Sequence, residues 1–169
     1  MRRITLPAIL VLLAVFLNSL TAYAQLNREE PDALQNLGIE EHLGDYIPLD
    51  AQFATSTGDS VIIRDLLEDG KPVLLNPLYY ECPMLCGLVL DGTLNVIEDL
   101  AWKPGKDFIV LSISIDPKED SELAKKTKEN YLAQMDSTTK NGWHFLTGNK
   151  TEIDKVIEAT GFQYKEIEE

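Results

Sequence analysis

The sequence predicts an α/β domain with a central, mainly parallel sheet flanked by helices. Apolar runs of strand length alternate with helical stretches; the strands are predicted at 73–80, 108–115 and 143–146, and the helices at 83–102, 119–135 and 150–159. Repeated strand–helix units of this length imply right-handed crossovers and parallel pairing. In such sheets, functional sites lie beyond the carboxyl ends of the strands.

The N-terminus has the pattern of a secretory signal peptide, which we expect to comprise residues 1–24. Arg2 and Arg3 precede an apolar run at 6–17, and small residues follow at Ala22 and Ala24. The run is shorter than the roughly 20 residues that a membrane-spanning helix needs. An uncleaved anchor or a buried helix is the alternative. Cleavage before Gln25 leaves enough chain for one domain.

The composition is acidic, with a formal net charge of −13 that becomes −15 when Arg2 and Arg3 are removed with the signal peptide. A surface of this charge repels nucleic acid and anionic membranes. We therefore expect no nucleic-acid partner and contact with a membrane surface only through a protein partner. Most of the acidic side chains are expected to be a solvated surface.

The region after the signal peptide begins with a polar arm at 25–48, and the domain is expected to occupy 49–169. Segments 51–54 and 61–63 flank a turn at Gly58-Asp59, which predicts a hairpin. The run 73–80 is apolar enough for a central strand covered on both faces. Pro77 cannot donate to a ladder, so the pairing is expected to weaken or bulge before the cysteines.

The later elements continue the alternation. Pro83 suits the first position of a helix, and apolar residues at helical spacings follow it; these are Leu85, Leu88, Val89, Val96 and Leu100. The charged helix at 119–135 is expected to be largely exposed to water. Residues 162–164 are predicted to begin a fourth strand.

The feature that carries chemistry is Cys82 and Cys86, the only cysteines of the chain, at the end of a predicted strand. Pro83 as first helical residue makes Cys82 the N-cap, where unpaired backbone N–H groups lower the pKa of the thiol. Cys86 lies one helical turn further along the same face. The pair can form a strained, reversible disulfide or bind one soft cation. An inert disulfide or two buried thiols is the alternative.

The available ligands favour copper over zinc. Structural zinc normally takes four ligands, and beyond the two cysteines only His42 and His144 remain as imidazole donors. Copper(I) is soft and accepts two or three ligands. Cysteine spacing also differs from the Cys-x-x-Cys pattern of thioredoxin-type redox sites, because three residues separate these cysteines.

Three motifs resemble those of the Sco/SenC family, and they occur in that family's order. They are the segments Tyr79-Tyr80-Glu81-Cys82-Pro83-Met84-Leu85-Cys86, Ser114-Ile115-Asp116-Pro117-Lys118-Glu119, and Gly142-Trp143-His144-Phe145-Leu146-Thr147-Gly148 followed by Gly161-Phe162. The resemblance covers most of the mature chain, from about Gly38 to the end.

This resemblance implies a thioredoxin-like fold in an exported protein of the periplasm or the outer face of the inner membrane. It implies binding of Cu(I) or Cu(II) through Cys82 and Cys86 and help in building the dinuclear copper centre of cytochrome c oxidase. The partner would be the copper-bearing oxidase subunit or another periplasmic copper or thiol protein. The family's third ligand is a histidine beyond the Gly-Phe segment. The sequence ends at Glu169 before such a residue, so we expect a fragment that lacks the closing hairpin and helix.

Other residues are weaker candidates for the site. His144 lies between two aromatic residues on a predicted strand, and His42 lies in the arm; for both, a non-ligating role is favoured. Asp116 at a strand end is expected to cap or turn the chain rather than react. Tyr79 and Tyr80 could shield the dithiol but are expected to pack. Met84 is a soft potential ligand that is expected to pack as well,.

Two functions from different classes remain open. The first is a copper metallochaperone that uses Cys82 and Cys86 as ligands. The second is a thiol–disulfide oxidoreductase, in which the thiolate of Cys82 attacks a substrate disulfide and Cys86 resolves the mixed disulfide. A peroxide-reducing enzyme is a distant third possibility.

Overall fold

The computed structural model describes residues 38–67, 70–82, 85–133 and 135–164. The predicted signal peptide (1–24) lies outside this part of the chain, as do Pro83 and Met84. All described residues belong to one compact unit that begins at Gly38. Within it, no helix is both long enough and apolar enough to cross a membrane.

The predicted hairpin is confirmed. After a short strand β1 (Gly38–Ile39), strands β2 (Gln52–Thr55) and β3 (Ser60–Ile62) pair in antiparallel register. The turn between them contains Gly58 with φ of 87°, in the left-handed region that favours glycine. The second strand is shifted by one residue from the predicted 61–63, because Ile63 begins a one-turn helix, α1 (Ile63–Leu66).

The rest of the domain alternates as the sequence predicts, with one additional helix. The elements are β4 (Val73–Leu78), α2 (Leu85–Asp99), β5 (Ile109–Ser114), α3 (Ser121–Leu132), α4 (Ser137–Gly142), β6 (Trp143–Thr147), α5 (Lys150–Thr160) and β7 (Phe162–Gln163). The predicted helix at 119–135 is therefore shorter. The additional helix α4 begins at Asp136, whose carboxylate accepts hydrogen bonds from the backbone of Thr138 and Thr139.

Among the described residues, five strands form the main sheet, in the order β3-β2-β6-β5-β4. Strands β4, β5 and β6 are parallel, whereas β2 is antiparallel to both of its neighbours. The sheet is thus mixed, with a parallel part that carries the strand–helix units and an antiparallel part that the hairpin supplies. The predicted α/β class is confirmed.

The prediction that 73–80 is a central strand is wrong, because β4 lies at an edge of the described sheet. Its register with β5 runs without interruption from Val73, opposite Ile109, to Leu78, opposite Ser114, so the expected bulge is absent there too. Pro77 is tolerated because an edge strand has one side with no ladder to disrupt. Val73 and Leu74 are correspondingly 36% and 39% exposed.

The strand predicted to begin at 162 is present as β7, but it does not join the main sheet. It pairs antiparallel with β1, opposite Gly38 and Ile39. The chain turns at Gly161, which has φ of 67° and ends α5. A Cβ atom there would overlap the carbonyl of Glu40, whose own N–H donates to the Gly161 oxygen at 2.8 Å. This close approach directs the chain towards β1.

The sheet is covered by two clusters of buried apolar residues. One combines the hairpin and α5 with alternate residues of β5, including Ile109, Leu111 and Ile113. The other combines α2 and α3 with residues that include Val110, Trp143 and Phe145. All six residues of β5 are buried, as expected for a strand covered on both faces. The indole of Trp143 donates to the Ser112 hydroxyl at 2.9 Å, which satisfies its buried N–H.

Helix α2 does not turn towards the sheet the apolar residues whose spacing predicted it. Its buried residues are Leu90, Thr93 and Ile97. The apolar residues on which its prediction rested remain exposed; these are Leu85, Leu88, Val89, Val96 and Leu100. Helical spacing identified the helix, but the helix has two apolar stripes and only the packing decides which of them is covered.

Glycine at position 142 is required by close backbone packing. A Cβ atom there would overlap the backbone of Pro104 and Gly105. We therefore expect Gly142→Ala to lower the free energy of unfolding by about 2 kcal/mol, since neither backbone can yield easily. The measurement is urea denaturation. The matched control is Gly92→Ala on α2, where a Cβ atom meets nothing within 4 Å and helix propensity should add about 0.5–1 kcal/mol. Equal effects of the two substitutions would refute the packing argument.

Candidate metal centre

The two cysteines lie where the chain leaves β4 and enters α2. Cys82 follows the strand by four residues, and Cys86 is in the first turn of the helix. The backbone N–H of Cys86 donates to the sulfur of Cys82 at 3.3 Å. Both residues are free thiols and half-buried. The structure thus brings together the two sulfur atoms that the sequence singled out, at the carboxyl end of a parallel strand.

The surroundings of the Cys86 thiol make it less acidic than an ordinary cysteine. Burial is the main reason that its pKa rises from 9.0 to about 11. A hydrogen bond and repulsion from the neighbouring Cys82 sulfur add to the rise, and the backbone of Tyr79 opposes it. Cys86 packs against the core cluster beneath α2. It therefore stays protonated at neutral pH unless an electrophile or a metal displaces the proton.

Lowering of the Cys82 pKa by the helix N-terminus stays a prediction, because the argument depends on Pro83, outside the described residues. What the structure adds is the role of Tyr79. Its side chain is hydrogen-bonded to Cys82, and this contact is the first cause of a raised Tyr79 pKa. The phenol therefore remains protonated and can donate to the sulfur. The sequence assigned Tyr79 only a packing role; its position three residues before Cys82 was the available signal.

Tyr80 has the packing role that was expected. Its ring lies 5.9 Å from the Phe145 ring, and its hydroxyl donates towards the carbonyl oxygens of Ser112 (2.8 Å) and Leu146 (3.0 Å). Burial raises the pKa of this phenol well above its usual value. Tyr80 thus attaches the segment before Cys82 to the middle of the sheet.

Glu119 is the residue at this site that sequence reasoning missed. Its carboxylate accepts hydrogen bonds from the backbone N–H groups of Tyr80 (2.9 Å) and Glu81 (2.8 Å), immediately before Cys82. The Ser114 hydroxyl at the end of β5 donates to it as well, at 2.6 Å. The carboxylate therefore ties the cysteine segment to the neighbouring strand. The signals in the sequence were its place after a strand end, which also suits ordinary helix caps, and its place in the second family motif.

His144 is not brought to the cysteines. It lies within β6, in register with Leu111 of β5. Burial, with a smaller contribution from the positive charge of Lys128, lowers its pKa from 6.5 to about 4. The imidazole is therefore neutral at pH 7. The sequence likewise favoured a non-ligating role for this histidine.

The remaining candidates have structural contacts. The His42 ring nitrogen Nδ1 lies 3.3 Å from the carbonyl oxygen of Ala159, near the end of α5. The Asp116 carboxylate accepts from the backbone of Lys118 at 2.8 Å and forms a turn, whereas the N-cap of α3 is Asp120. Met84 lies outside the described residues. Across the described part of the chain, no group of three or more cysteine, histidine or carboxylate side chains is arranged to hold a metal ion.

A family model supplies the decisive comparison. The model described as SCO1/SenC matches residues 46–169, which is most of the chain. The chain belongs to the SCO1/SenC family. The matched region includes Cys82, Cys86 and Glu119. A comparison with curated proteins found no match.

Several solved structures are similar to this chain. A protein of Aquifex aeolicus VF5, described only as a candidate electron transfer protein, is 31% identical over 73% of this chain and 74% of its own, with a TM-score of 0.62. Arabidopsis thaliana ScoI, solved with copper bound, is 21% identical over 64% of this chain and 62% of its own, with a TM-score of 0.52. BsSco, described as a member of the Sco family of cytochrome c oxidase assembly proteins with a disulfide switch, is 23% identical over 72% and 66%, with a TM-score of 0.49.

The mixed sheet flanked by helices is accordingly the thioredoxin-like fold of the SCO1/SenC family, as the sequence predicted. Within that fold, this family member has its dithiol at the edge strand of the described sheet. The cysteine segment is held by the Tyr80 hydroxyl, which donates to the sheet, and by the Glu119 carboxylate, which accepts from its backbone.

We expect Glu119→Ala to lower the free energy of unfolding by about 2 kcal/mol, because backbone hydrogen bonds to a charged group are lost. Release of the segment before Cys82 should also speed alkylation of the half-buried Cys86 thiol. The first effect is measured by urea denaturation. The second is measured as the iodoacetamide rate in a Cys82→Ser background, where Cys86 is the only thiol.

The matched control for Glu119 is Glu122→Ala, which removes an exposed carboxylate from the first turn of α3. Only a favourable interaction with the helix dipole is lost there, so the stability change should stay below about 1 kcal/mol. The Cys86 alkylation rate should not change. A control variant that matched Glu119→Ala in both measurements would contradict the role of Glu119.

The lowered pKa of His144 predicts that the folded protein loses stability in acid. The unfolded chain binds a proton at this residue below pH 6.5, whereas the folded chain does so only near pH 4, so stability is lost as the pH falls between these values. Between pH 7 and 4.5, His144 should account for about 2 kcal/mol of the loss. Urea denaturation at the two pH values should show a smaller loss in His144→Gln by about this amount. An undiminished loss in that variant would rule the explanation out.

Proposed function

We propose that this protein is a copper metallochaperone that binds one copper ion through Cys82 and Cys86. It would deliver the ion to the copper-bearing subunit of cytochrome c oxidase, or to another periplasmic copper or thiol protein. The observation that carries the proposal is the pair of reduced thiols, one helical turn apart, with the Cys86 N–H bonded to the Cys82 sulfur. Family membership supports it, since Arabidopsis ScoI was solved with copper bound and BsSco is described among oxidase assembly proteins.

The donor set suits copper as a cargo. Two thiols form a soft ligand pair, and copper(I) is stable with two or three ligands. A bound ion would therefore keep a coordination position for a ligand of the receiving protein. Such an incomplete set favours transfer by ligand exchange. The proposal leaves both Cu(I) and Cu(II) as cargo.

Proton release would accompany binding. The Cys86 thiol has a pKa of about 11, so copper must displace its proton at neutral pH. The Tyr79 hydroxyl, bonded to Cys82, can stabilise negative charge on the other sulfur. The site thus keeps its thiols from being fully ionised before the ion arrives. This limits the exposed thiolate that oxidants could attack.

The proposed location is outside the cytoplasm, in the periplasm or at the outer face of the inner membrane. It rests on the pattern of residues 1–24 as a signal peptide. Delivery to an oxidase would take place there. The acidic surface argues that any contact with an anionic membrane is made through the receiving protein.

A thiol–disulfide oxidoreductase is the second candidate, favoured by the unequal surroundings of the two thiols. Cys86 is held protonated by burial, whereas Cys82 precedes the helix. In this reaction the Cys82 thiolate attacks a substrate disulfide and displaces one sulfur as a thiolate. The Cys86 thiol then loses its proton and attacks the Cys82 sulfur, which releases the second substrate thiol and leaves a Cys82–Cys86 disulfide.

Copper titration of the reduced protein tests the first function. We expect one copper per chain by competition with a chromophoric copper(I) chelator and by metal analysis after desalting. Cys82→Ser and Cys86→Ser should each abolish binding, because a single thiolate cannot retain the ion against the chelator. Val89→Ser is the matched control, since it introduces the same residue at an exposed position of α2.

If both cysteine variants still bound one copper per chain, the chaperone proposal would be overturned. The same proteins distinguish the second function when a disulfide-containing protein is the substrate. Rapid reduction by the dithiol form, lost in Cys82→Ser, with no copper binding in any form, would establish the oxidoreductase instead.

A further inference from the structure

The second half of α3 borders a cavity that the dithiol chemistry does not use. Its volume is about 370 Å³, within the range of small-molecule sites. Its lining includes three lysines, one carboxylate and an apolar wall; the residues are Ser56, Thr57, Lys125, Lys128, Glu129, Leu132, Ala133 and Lys140. The hairpin turn, α3 and α4 all contribute. The cavity is therefore formed by tertiary packing and not by one element.

The charge of the cavity opposes that of the whole protein. The chain carries 28 acidic residues against 15 lysines and arginines, yet three of those lysines converge here. Within the described part of the chain, no carboxylate lies within ion-pair distance of Lys125 or Lys128. Lys140 donates to the Ala133 carbonyl oxygen at 3.0 Å. With Glu129 counted, the lining carries a net charge of about +2.

The positive charge of the cavity also affects a histidine on the neighbouring strand β6. Burial lowers the pKa of Lys128, and the charge of Lys128 contributes to the lowered pKa of His144. An anion in the cavity would relieve both effects. The one carboxylate of the hairpin, Asp59, does not line the cavity and accepts a hydrogen bond from the Thr57 hydroxyl at 2.6 Å. The Ser56 hydroxyl has no such internal partner in the described structure and can donate to a ligand.

We propose that this cavity binds a small organic phosphate. The phosphate would lie between Lys125 and Lys128, within reach of the Ser56 hydroxyl, and the apolar part of the molecule would lie on Leu132 and Ala133. A phosphate monoester carries close to two negative charges at pH 7, which matches the net charge of the lining. Lysine binds phosphate as a point charge and needs no fixed fork geometry. An inorganic anion would leave the apolar wall unused.

The site is separate from the dithiol along the fold. Glu119, which holds the cysteine segment, precedes the N-terminus of α3, whereas the lysines and Leu132 lie along its second half. Ligand binding is therefore expected to leave copper binding and thiol chemistry unaltered. Each proposal can consequently fail without the other.

Phenyl phosphate is the probe, and binding is followed by titration of ¹H–¹⁵N NMR spectra of the purified, reduced protein. We expect saturable shifts at the amides of Ser56, Lys125 and Lys128. Lys128→Gln and Lys125→Gln should each weaken binding by about tenfold, because one charge-assisted contact is lost. The affinity should also fall as the salt concentration rises.

The matched control is Lys126→Gln, which removes the same charge from the same helix at an exposed position that does not line the cavity. Its affinity for phenyl phosphate should stay within about twofold of the unsubstituted protein. Lys125 is exposed, so its variant tests the site even if Lys128→Gln unfolds.

Several results would overturn the proposal. Absence of saturable shifts would remove the site. Equal weakening by Lys126→Gln would reduce the effect to general attraction of an anion. Equal affinity for benzyl alcohol would show an apolar pocket that does not select phosphate, and equal affinity for inorganic phosphate would show that the apolar wall plays no part.

Discussion

The dithiol depends on the attachment of one short segment at the edge of a sheet. Strand β4 has a neighbour on only one side in the described structure, and the chain leaves it at Leu78, four residues before Cys82. Beyond that point no sheet ladder holds the backbone. The Glu119 carboxylate holds the backbone there instead. It accepts hydrogen bonds from two successive N–H groups and is itself fixed by the Ser114 hydroxyl. The Tyr80 side chain anchors the same segment to the core.

This attachment explains how an accessible site can be well positioned. Cys86 is set into the core cluster under α2, while Cys82 sits on the anchored segment and receives the Cys86 N–H and the Tyr79 hydroxyl. One sulfur is thus held by burial and the other by hydrogen bonds. The negative charge of Glu119 also contributes to the raised pKa of Cys86, so the group that positions the segment helps to keep the thiol protonated. The Glu119 side chain therefore affects both the position of the cysteine segment and the protonation of Cys86.

Local patterns were sufficient for the elements and for the cysteine pair. The hairpin, the three parallel strands and the helices between them follow from apolar runs and turn residues, and the position of Cys82 follows from the end of a run. Helix α4 was missed because its six residues carry no apolar periodicity; its signal is the cap at Asp136. The buried side of α2 was not predicted, because two apolar stripes share one helix and a spacing pattern does not say which of them faces the sheet.

The sequence by itself determined the α/β class, the family resemblance and the two thiols, since each depends on residues that are close along the chain or on their order. Only the tertiary structure decided that β4 lies at the edge, that β7 pairs with β1, and that Glu119 holds the cysteine segment. It also decided that lysines from two helices surround one cavity. These features depend on contacts between residues far apart in sequence. Such contacts are fixed by which faces pack together, and periodicity along a single element does not contain that information.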